Sequence, residues 1–368
     1  MVKIESSFKG FYKNKNILVT GHTGFKGSWL VIWLNELEAN VSGYALKPNT
    51  KPNNFELSNL KNKIKNNFGD IRDKTKLRNT IMKTKPEIIF HLAAQPLVIT
   101  SYMYPFYTYD TNIMGLINLL EIVRSVDFVK SVIIITSDKC YKNKDIKRGY
   151  IESDKLGGTD PYSSSKSCVE IISESYYNSF FKKNNINLAT ARAGNVIGGG
   201  DWSDYRLIPD CVKALSKNEK LSIRNPESVR PWQFILEPLS GYLTLGQNIS
   251  SNNGDKIFSA WNFGPDNKPK SVSYIVRRIF ALWDHKVNIE YSKDKNNFKE
   301  TNYLHLNINK SKKYLNWGPV YNLQNALKET VEWYKQVYNI ENDVYNLCKN
   351  QIVDYTKAAR LKNIKWCL

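Results

Sequence analysis

The segment from Asn16 to Leu37 limits the possible folds of this chain more than any other. A short apolar run, Asn16-Ile17-Leu18-Val19-Thr20, leads into glycines at Gly21, Gly24 and Gly27. Trp29, Leu30, Trp33, Leu34 and Leu37 then follow at helical spacing. A buried strand, a glycine turn and a helix in that order let backbone approach a pyrophosphate, with the helix N-terminus aimed at its charge. A glycine triplet alone is equally a tight turn. The strand before it and the helix after it assign it to nucleotide binding.

Strand-sized runs recur at Val41–Ala45, Asn67–Asp70, Ile88–Leu92, Ser131–Thr136 and Asn187–Arg192. Helical patterns lie between them, notably Met114–Val126 and Tyr162–Phe181. This alternation predicts an α/β fold of Rossmann type, a doubly wound parallel sheet with helices on both faces. Residues 1–197 read as that nucleotide-binding domain. After Gly198 the apolar runs shorten and Pro and Trp increase, so 198–358 read as a smaller mixed α/β substrate-binding domain. Segments near 230–262 are candidates to return to the first domain. Lys293–Lys299 reads as a polar loop and residues 359–368 as a short basic tail.

Composition removes several function classes. Fifty-three basic against thirty-four acidic residues give a net charge of +19 over 368 residues. Only eleven of the basic residues are Arg, the side chain that dominates base and phosphate readout, and no basic block is present. The charge therefore reads as a solvated surface that favours a small anionic substrate, not nucleic acid. A non-catalytic, RNA-binding protein of this fold stays as a remote alternative, marked by steep salt dependence. Cys140, Cys168, Cys211, Cys348 and Cys367 are scattered and form no CxxC pair, which suggests a reducing compartment and no metal site. No run approaches bilayer length, and Met1–Glu5 opens no signal sequence, so the chain is expected to be cytoplasmic.

Two further groups carry chemistry. Tyr162-Ser163-Ser164-Ser165-Lys166 opens a helix after Asp160-Pro161, and the i, i+4 spacing puts phenol and ammonium on one face. A neighbouring cation favours the phenolate, so Tyr162 can act as a base toward a hydroxyl. Thr136-Ser137-Asp138-Lys139-Cys140-Tyr141 leaves the carboxyl end of the fifth strand, where open α/β sheets bind ligands. A desolvated Asp138 could hold a proton and deliver it to a leaving hydroxyl. Lys139 could accept one only if held neutral. The second strand ends in Leu46-Lys47 without the acid that binds a ribose 2′-hydroxyl, and Lys47 could accommodate a 2′-phosphate, leaving NAD and NADP both open. Gly69-Asp70-Ile71 offers an acid and a backbone suited to adenine, and reads equally as an ordinary strand-end turn. His91 reads as a structural strand histidine.

The glycine turn, His91–Gln95 (HLAAQ), Ser137–Lys139, Tyr162–Lys166 and Ala191–Trp202 (ARAGNVIGGGDW) together resemble the extended short-chain dehydrogenase/reductase family. Thr20–Leu30, Thr136–Tyr141, Arg206–Asp210 (RLIPD) and Arg230–Leu243 sharpen the likeness to its nucleotide-sugar dehydratase branch, over roughly Phe11 to Ala358. The resemblance implies a redox-neutral loss of water from a nucleotide hexose with NAD as cofactor, serving deoxysugar and surface-polysaccharide synthesis. Tyr162 would take the C4 hydroxyl proton, supported by Ser137 and Lys166, and Asp138 would protonate the C6 hydroxyl. Lys139 stands where related dehydratases place a Glu, so Lys139 or a water it positions would remove the C5 proton. A 4-epimerase, or a dehydratase of another nucleotide sugar, is the alternative within the fold; the Asp138–Lys139 pair argues against the epimerase.

The same resemblance implies cofactor contacts from Gly21, His22, Gly24, Phe25, Lys26, Gly27, Asp70, Ile71, Leu92, Ala93, Ala94, Asn112, Tyr162 and Lys166. It implies substrate contacts from Gln95, Asn195, Arg206, Leu207, Arg230 and Asn262. His22 and Lys26, bulky for a pyrophosphate turn, suggest crowding and an exchangeable cofactor. Phe234 stands where the branch has His, which bears on base recognition if it faces the nucleotide and on nothing if it faces the core. A homodimer or homotetramer is implied, built on the helices Met114–Val126 and Tyr162–Phe181.

Overall fold

The computed structural model describes residues 4–251, 259–266, 268–291, 303–339 and 343–368; the expected loop Lys293–Lys299 lies outside them. Six strands are β1 (Asn16–Thr20), β2 (Asn40–Ala45), β3 (Lys65–Phe68), β4 (Ile88–His91), β5 (Ser131–Ile135) and β6 (Asn187–Ala193). A seventh, Ser259–Phe263, pairs with β6, giving the order Ser259–Phe263, β6, β5, β4, β1, β2, β3, parallel throughout. β3 is polar because it is the edge; its four residues keep partial or full exposure. β5 is buried along its whole length because helices cover both faces. Val132 and Ile134 pack under Leu116, Leu119 and Val123 on one side. Ile133 and Ile135 pack with Leu236, Leu239 and Leu243 on the other.

The order reverses between β1 and β4, which opens a crevice at their carboxyl ends. There the loops after both strands touch: a Cβ on Gly21, which has φ +74°, would lie 2.7 Å from the Ala93 nitrogen. Helix α1 (Phe25–Glu36) is buried without a break from Gly27 to Leu34. The sheet lies on one side of it and the helix Val344–Leu361 on the other. The helix Pro161–Tyr176 starts where the sequence signals it, with Asp160 accepting from the Ser163 N–H at 2.9 Å and Pro161 in the first turn.

The helices Leu207–Lys217 and Val272–Trp283 pack with short strand pairs into a smaller group. The helix Leu207–Lys217 precedes a parallel strand pair, Leu221–Ile223 with Ile289–Tyr291, and Val229–Arg230 pairs antiparallel with Lys270–Ser271. The helix Leu236–Ser251 packs on β5 and β6 and delivers the chain to Ser259–Phe263, so this stretch belongs to the main sheet. The C-terminus is not a loose tail. Trp366 is 3% exposed and stacks on Phe8 and Tyr355, with ring centroids 5.2 and 5.9 Å apart. Among the described residues no helix is long and apolar enough to cross a membrane.

Candidate active site

A cavity of about 680 Å³ runs from the crevice across the face of the smaller group. At one end lies the glycine turn. A Cβ on Gly27 would sit 2.1 Å from the Gly21 carbonyl oxygen, so only glycine lets the turn close. Gly24 precedes α1 in extended conformation with no side-chain cap, and the first turn holds no acid. Its orphan N–H groups therefore remain for an anion, as a pyrophosphate requires. Ile71, Leu92, Ala93 and Ala94 line the neighbouring wall. The residues fit a dinucleotide.

Four of the cofactor contacts need comment. His22 turns away from the cavity. Its ring lies over Gly43 and against Phe55, and Nε2 is 2.6 Å from Asn66 Oδ1. Burial pushes it down to about 4, so it is neutral and does not crowd the turn. Lys26 does line the cavity, and burial, with Arg206 and Lys166 nearby, lowers it to about 8. The Asp70 carboxylate is gripped by Arg72 at 2.7 Å, which holds it below the usual carboxylate range. Asn112 stands outside the lining. It accepts from the Gln95 N–H at 2.7 Å and donates to Ser165 Oγ at 2.9 Å, fastening the loop after β4 to the Tyr162 helix.

Ser137, Asp138, Lys139, Tyr162 and Lys166 line the same cavity. Ser137 Oγ donates to Asp138 Oδ1 at 3.0 Å and accepts from the Lys139 N–H. Asp138 is 3% exposed, and Oδ2 is buried with no hydrogen-bond partner among the described residues. Burial raises its pKa against the pull of Lys139, Ser137, Arg230 and Lys26. That shift favours the protonated form, the form that can give a proton away. The Lys166 ammonium lies 6.0 Å from the Tyr162 ring centre and donates to the Ile135 carbonyl at 3.4 Å. Burial, partly offset by Glu170, lowers Lys166 to about 8. Tyr162 departs from expectation. Burial pushes it up to about 12, outweighing the Ser137 hydrogen bond and the Arg206 charge that favour phenolate.

The substrate side divides similarly. Asn195, Arg206, Leu207, Arg230 and Gln95 line the cavity, with Arg206 held by Asp201 at 2.8 Å. Asn262 does not. It is fully buried, donating to the Tyr150 and Asn307 carbonyls and accepting from the Tyr141 hydroxyl at 2.8 Å, so its role is structural. Phe234 faces the core, 1% exposed among Tyr321 and Tyr355, and does not touch the cavity. His91 is buried in its strand with Nδ1 2.8 Å from Thr20 Oγ1.

One supporting group was absent from the sequence reading. Glu170 accepts Arg192 through two guanidinium nitrogens at 3.0 and 2.9 Å, and Thr136 and Thr190 complete both oxygens. The cluster ties the Tyr162 helix to the ends of β5 and β6. Its signal was Glu170 four residues after Lys166, with Arg192 inside the ARAGN run.

The model of a family described as GDP-mannose 4,6 dehydratase matches residues 18–330. CDP-glucose 4,6-dehydratase of Salmonella typhimurium is 46% identical over 95% of this chain and 99% of its own length. A dTDP-glucose 4,6-dehydratase from Bacillus anthracis, solved in complex with NAD, is 25% identical, covering 88% of this chain and 97% of that one, with a TM-score of 0.72. A UDP-glucose 4-epimerase from Thermotoga maritima, 23% identical over 87% of this chain and 99% of its own, shares the fold with a TM-score of 0.75. With the glycine cradle, the Tyr162–Lys166 pair and the buried Asp138 in one cavity, the chain belongs to the GDP-mannose 4,6 dehydratase family.

Proposed function

We propose that this chain is an NAD-dependent hydro-lyase that converts CDP-glucose to CDP-4-keto-6-deoxyglucose. The observation that carries it is Asp138, a buried carboxyl with an open Oδ2 in the same cavity as Tyr162 and Lys166. A 4-epimerase has no use for that acid. The base and sugar follow from the 46% likeness to a CDP-glucose 4,6-dehydratase. The turn Gly21–Gly27 would hold the pyrophosphate of NAD, with Ile71, Leu92 and Ala93 along the dinucleotide. When bound, NAD supplies the two-electron acceptor that takes the C4 hydride and returns it at C6.

The side chains move the protons. Tyr162 accepts the C4 hydroxyl proton, assisted by Ser137, Arg206 and Lys166, which favour its phenolate against burial. The new ketone acidifies the C5 hydrogen, and Lys139 or a water it holds takes that proton. Asp138 gives its proton to the C6 hydroxyl, which leaves as water and opens a C5–C6 double bond. Hydride at C6 and a proton at C5 then complete the 4-keto-6-deoxy sugar. Arg206 and Arg230 provide cationic pairing for the diphosphate.

Incubation with NAD and, separately, CDP-, UDP-, GDP- and dTDP-hexoses tests the reading by mass spectrometry. Loss of one water from CDP-glucose without accumulated reduced cofactor is expected. A new isomer of unchanged mass would replace it with epimerisation. We also infer a homodimer. Met103, Phe106, Met114 and Ile171 are 49, 80, 47 and 56% exposed, on Val98–Met103, Pro105–Tyr109, Asp110–Met114 and Pro161–Tyr176. Phe106→Glu is expected to halve the mass measured by light scattering; a wild-type monomer would contradict the assembly.

A further inference from the structure

We propose that Asp210 reads the cytosine edge of the nucleotide, in the cavity one helical turn beyond Arg206. This rests on the CDP-sugar reading above. The helix Leu207–Lys217 orders this part of the cavity. Arg206 caps it and pairs with Asp201 at 2.8 Å. Asp210 sits one turn further along, its N–H donating to the Arg206 carbonyl at 3.0 Å, and lines the cavity with Arg224. With Arg206 on the diphosphate, Asp210 stands one step beyond it. In a nucleotide sugar the base likewise lies beyond the diphosphate.

This wall has the character of a base site. Leu207 and Asp210 lie three residues apart, on one face of Leu207–Lys217. Ile223 and Arg224 come from the strand Leu221–Ile223 and the residue after it, and all four line the cavity. Two aliphatic side chains offer a flat apolar contact for a planar ring. The Asp210 side chain is half-buried, and no side-chain hydrogen bond or ion pair holds it among the described residues. Cytosine presents an amino donor at N4 beside an acceptor at N3. Uracil and thymine present a carbonyl acceptor in place of the amino group, which a carboxylate repels. Burial, reinforced by Asp204 and Asp201 against Lys213 and Arg224, pushes Asp210 up to about 6. Near neutral pH the group is therefore mostly the carboxylate, which accepts from the cytosine N4 amino group and repels the carbonyl that uracil places there.

Calorimetric titration of the whole protein with CMP, UMP and GMP tests this apart from turnover. The wild type is expected to prefer CMP. Asp210→Leu is expected to weaken CMP by about 10–100-fold, the effect of losing hydrogen bonds to a charged group, and to leave UMP little changed. Asp210→Asn is the control, since its amide offers one acceptor and one donor. It should keep CMP and gain UMP, because the amide can turn over to match uracil. Equal losses for CMP and UMP in both variants, or no loss in either, would overturn the proposal. So would a wild-type preference for GMP. Failure of the wild type to dehydrate CDP-glucose, with CMP selectivity intact and lost in Asp210→Leu, would overturn the reaction and leave the base reading standing.

Discussion

Asp138→Asn is expected to retain oxidation at C4 while turnover to the dehydrated sugar falls about 10²–10⁴-fold, the usual contribution of a positioned general acid. Asn keeps the shape and the Ser137 contact, so the cavity survives. It cannot supply a proton to the C6 hydroxyl. The reaction should therefore stop after the first half, and reduced nicotinamide absorbance should build up on the protein when CDP-glucose is added. Asp138 is suited to the task because its Oδ2 is buried without a partner and burial raises its pKa against four positive or hydrogen-bonding neighbours. Water loss at the wild-type rate from Asp138→Asn would remove it from the mechanism.

Tyr162→Phe is expected to fail one step earlier. Phe preserves the ring beside Lys166 but has no oxygen to accept the C4 hydroxyl proton, so turnover should fall by a similar 10²–10⁴-fold. In this variant no reduced nicotinamide should appear, which separates it from Asp138→Asn. Burial sets Tyr162 at about 12, and Lys166 at about 8, so Tyr162 is protonated in the free protein near neutral pH. The C4 oxidation step, read as reduced nicotinamide formed in Asp138→Asn, should therefore quicken with pH above neutrality as the phenolate becomes accessible. A rate independent of pH between neutrality and pH ~10, the ordinary phenol value, would argue for another base.

Much of this was legible in the residues. β1, β4 and β5 are apolar runs because sheet strands covered on both faces need no alternation, and the sequence shows that directly. Tyr162 and Lys166 fall on one face of a helix whose start is marked by Asp160 and Pro161. Side-chain direction was less legible. Nothing in the motif around Asn262 says that its amide turns inward to Tyr150, Asn307 and Tyr141. Asn112 and His22 likewise sit beside the cavity in sequence and behind its wall in space.

The balance of burial against charge at Tyr162 was also hidden. The i, i+4 spacing predicts a cation near the phenol, but not the packing that desolvates both groups. Phe234 shows the reverse case. A departure from the branch pattern lost its weight once the ring was found among Tyr321 and Tyr355. The C-terminal residues read as a tail because they are short and basic and carry no periodic apolar pattern. Phe8, which Trp366 stacks on, lies at the opposite end of the chain.

The central claim is that hydrogen leaves C4 and returns at C6 of the same sugar while water departs. The nucleotide-sugar incubation, run with CDP-glucose deuterated at C4, tests it most directly. The account predicts a product lighter by one water that keeps the deuterium, now at C6, with one solvent hydrogen at C5. A product that has lost the label, or labelled substrate returned with its mass unchanged, would contradict it.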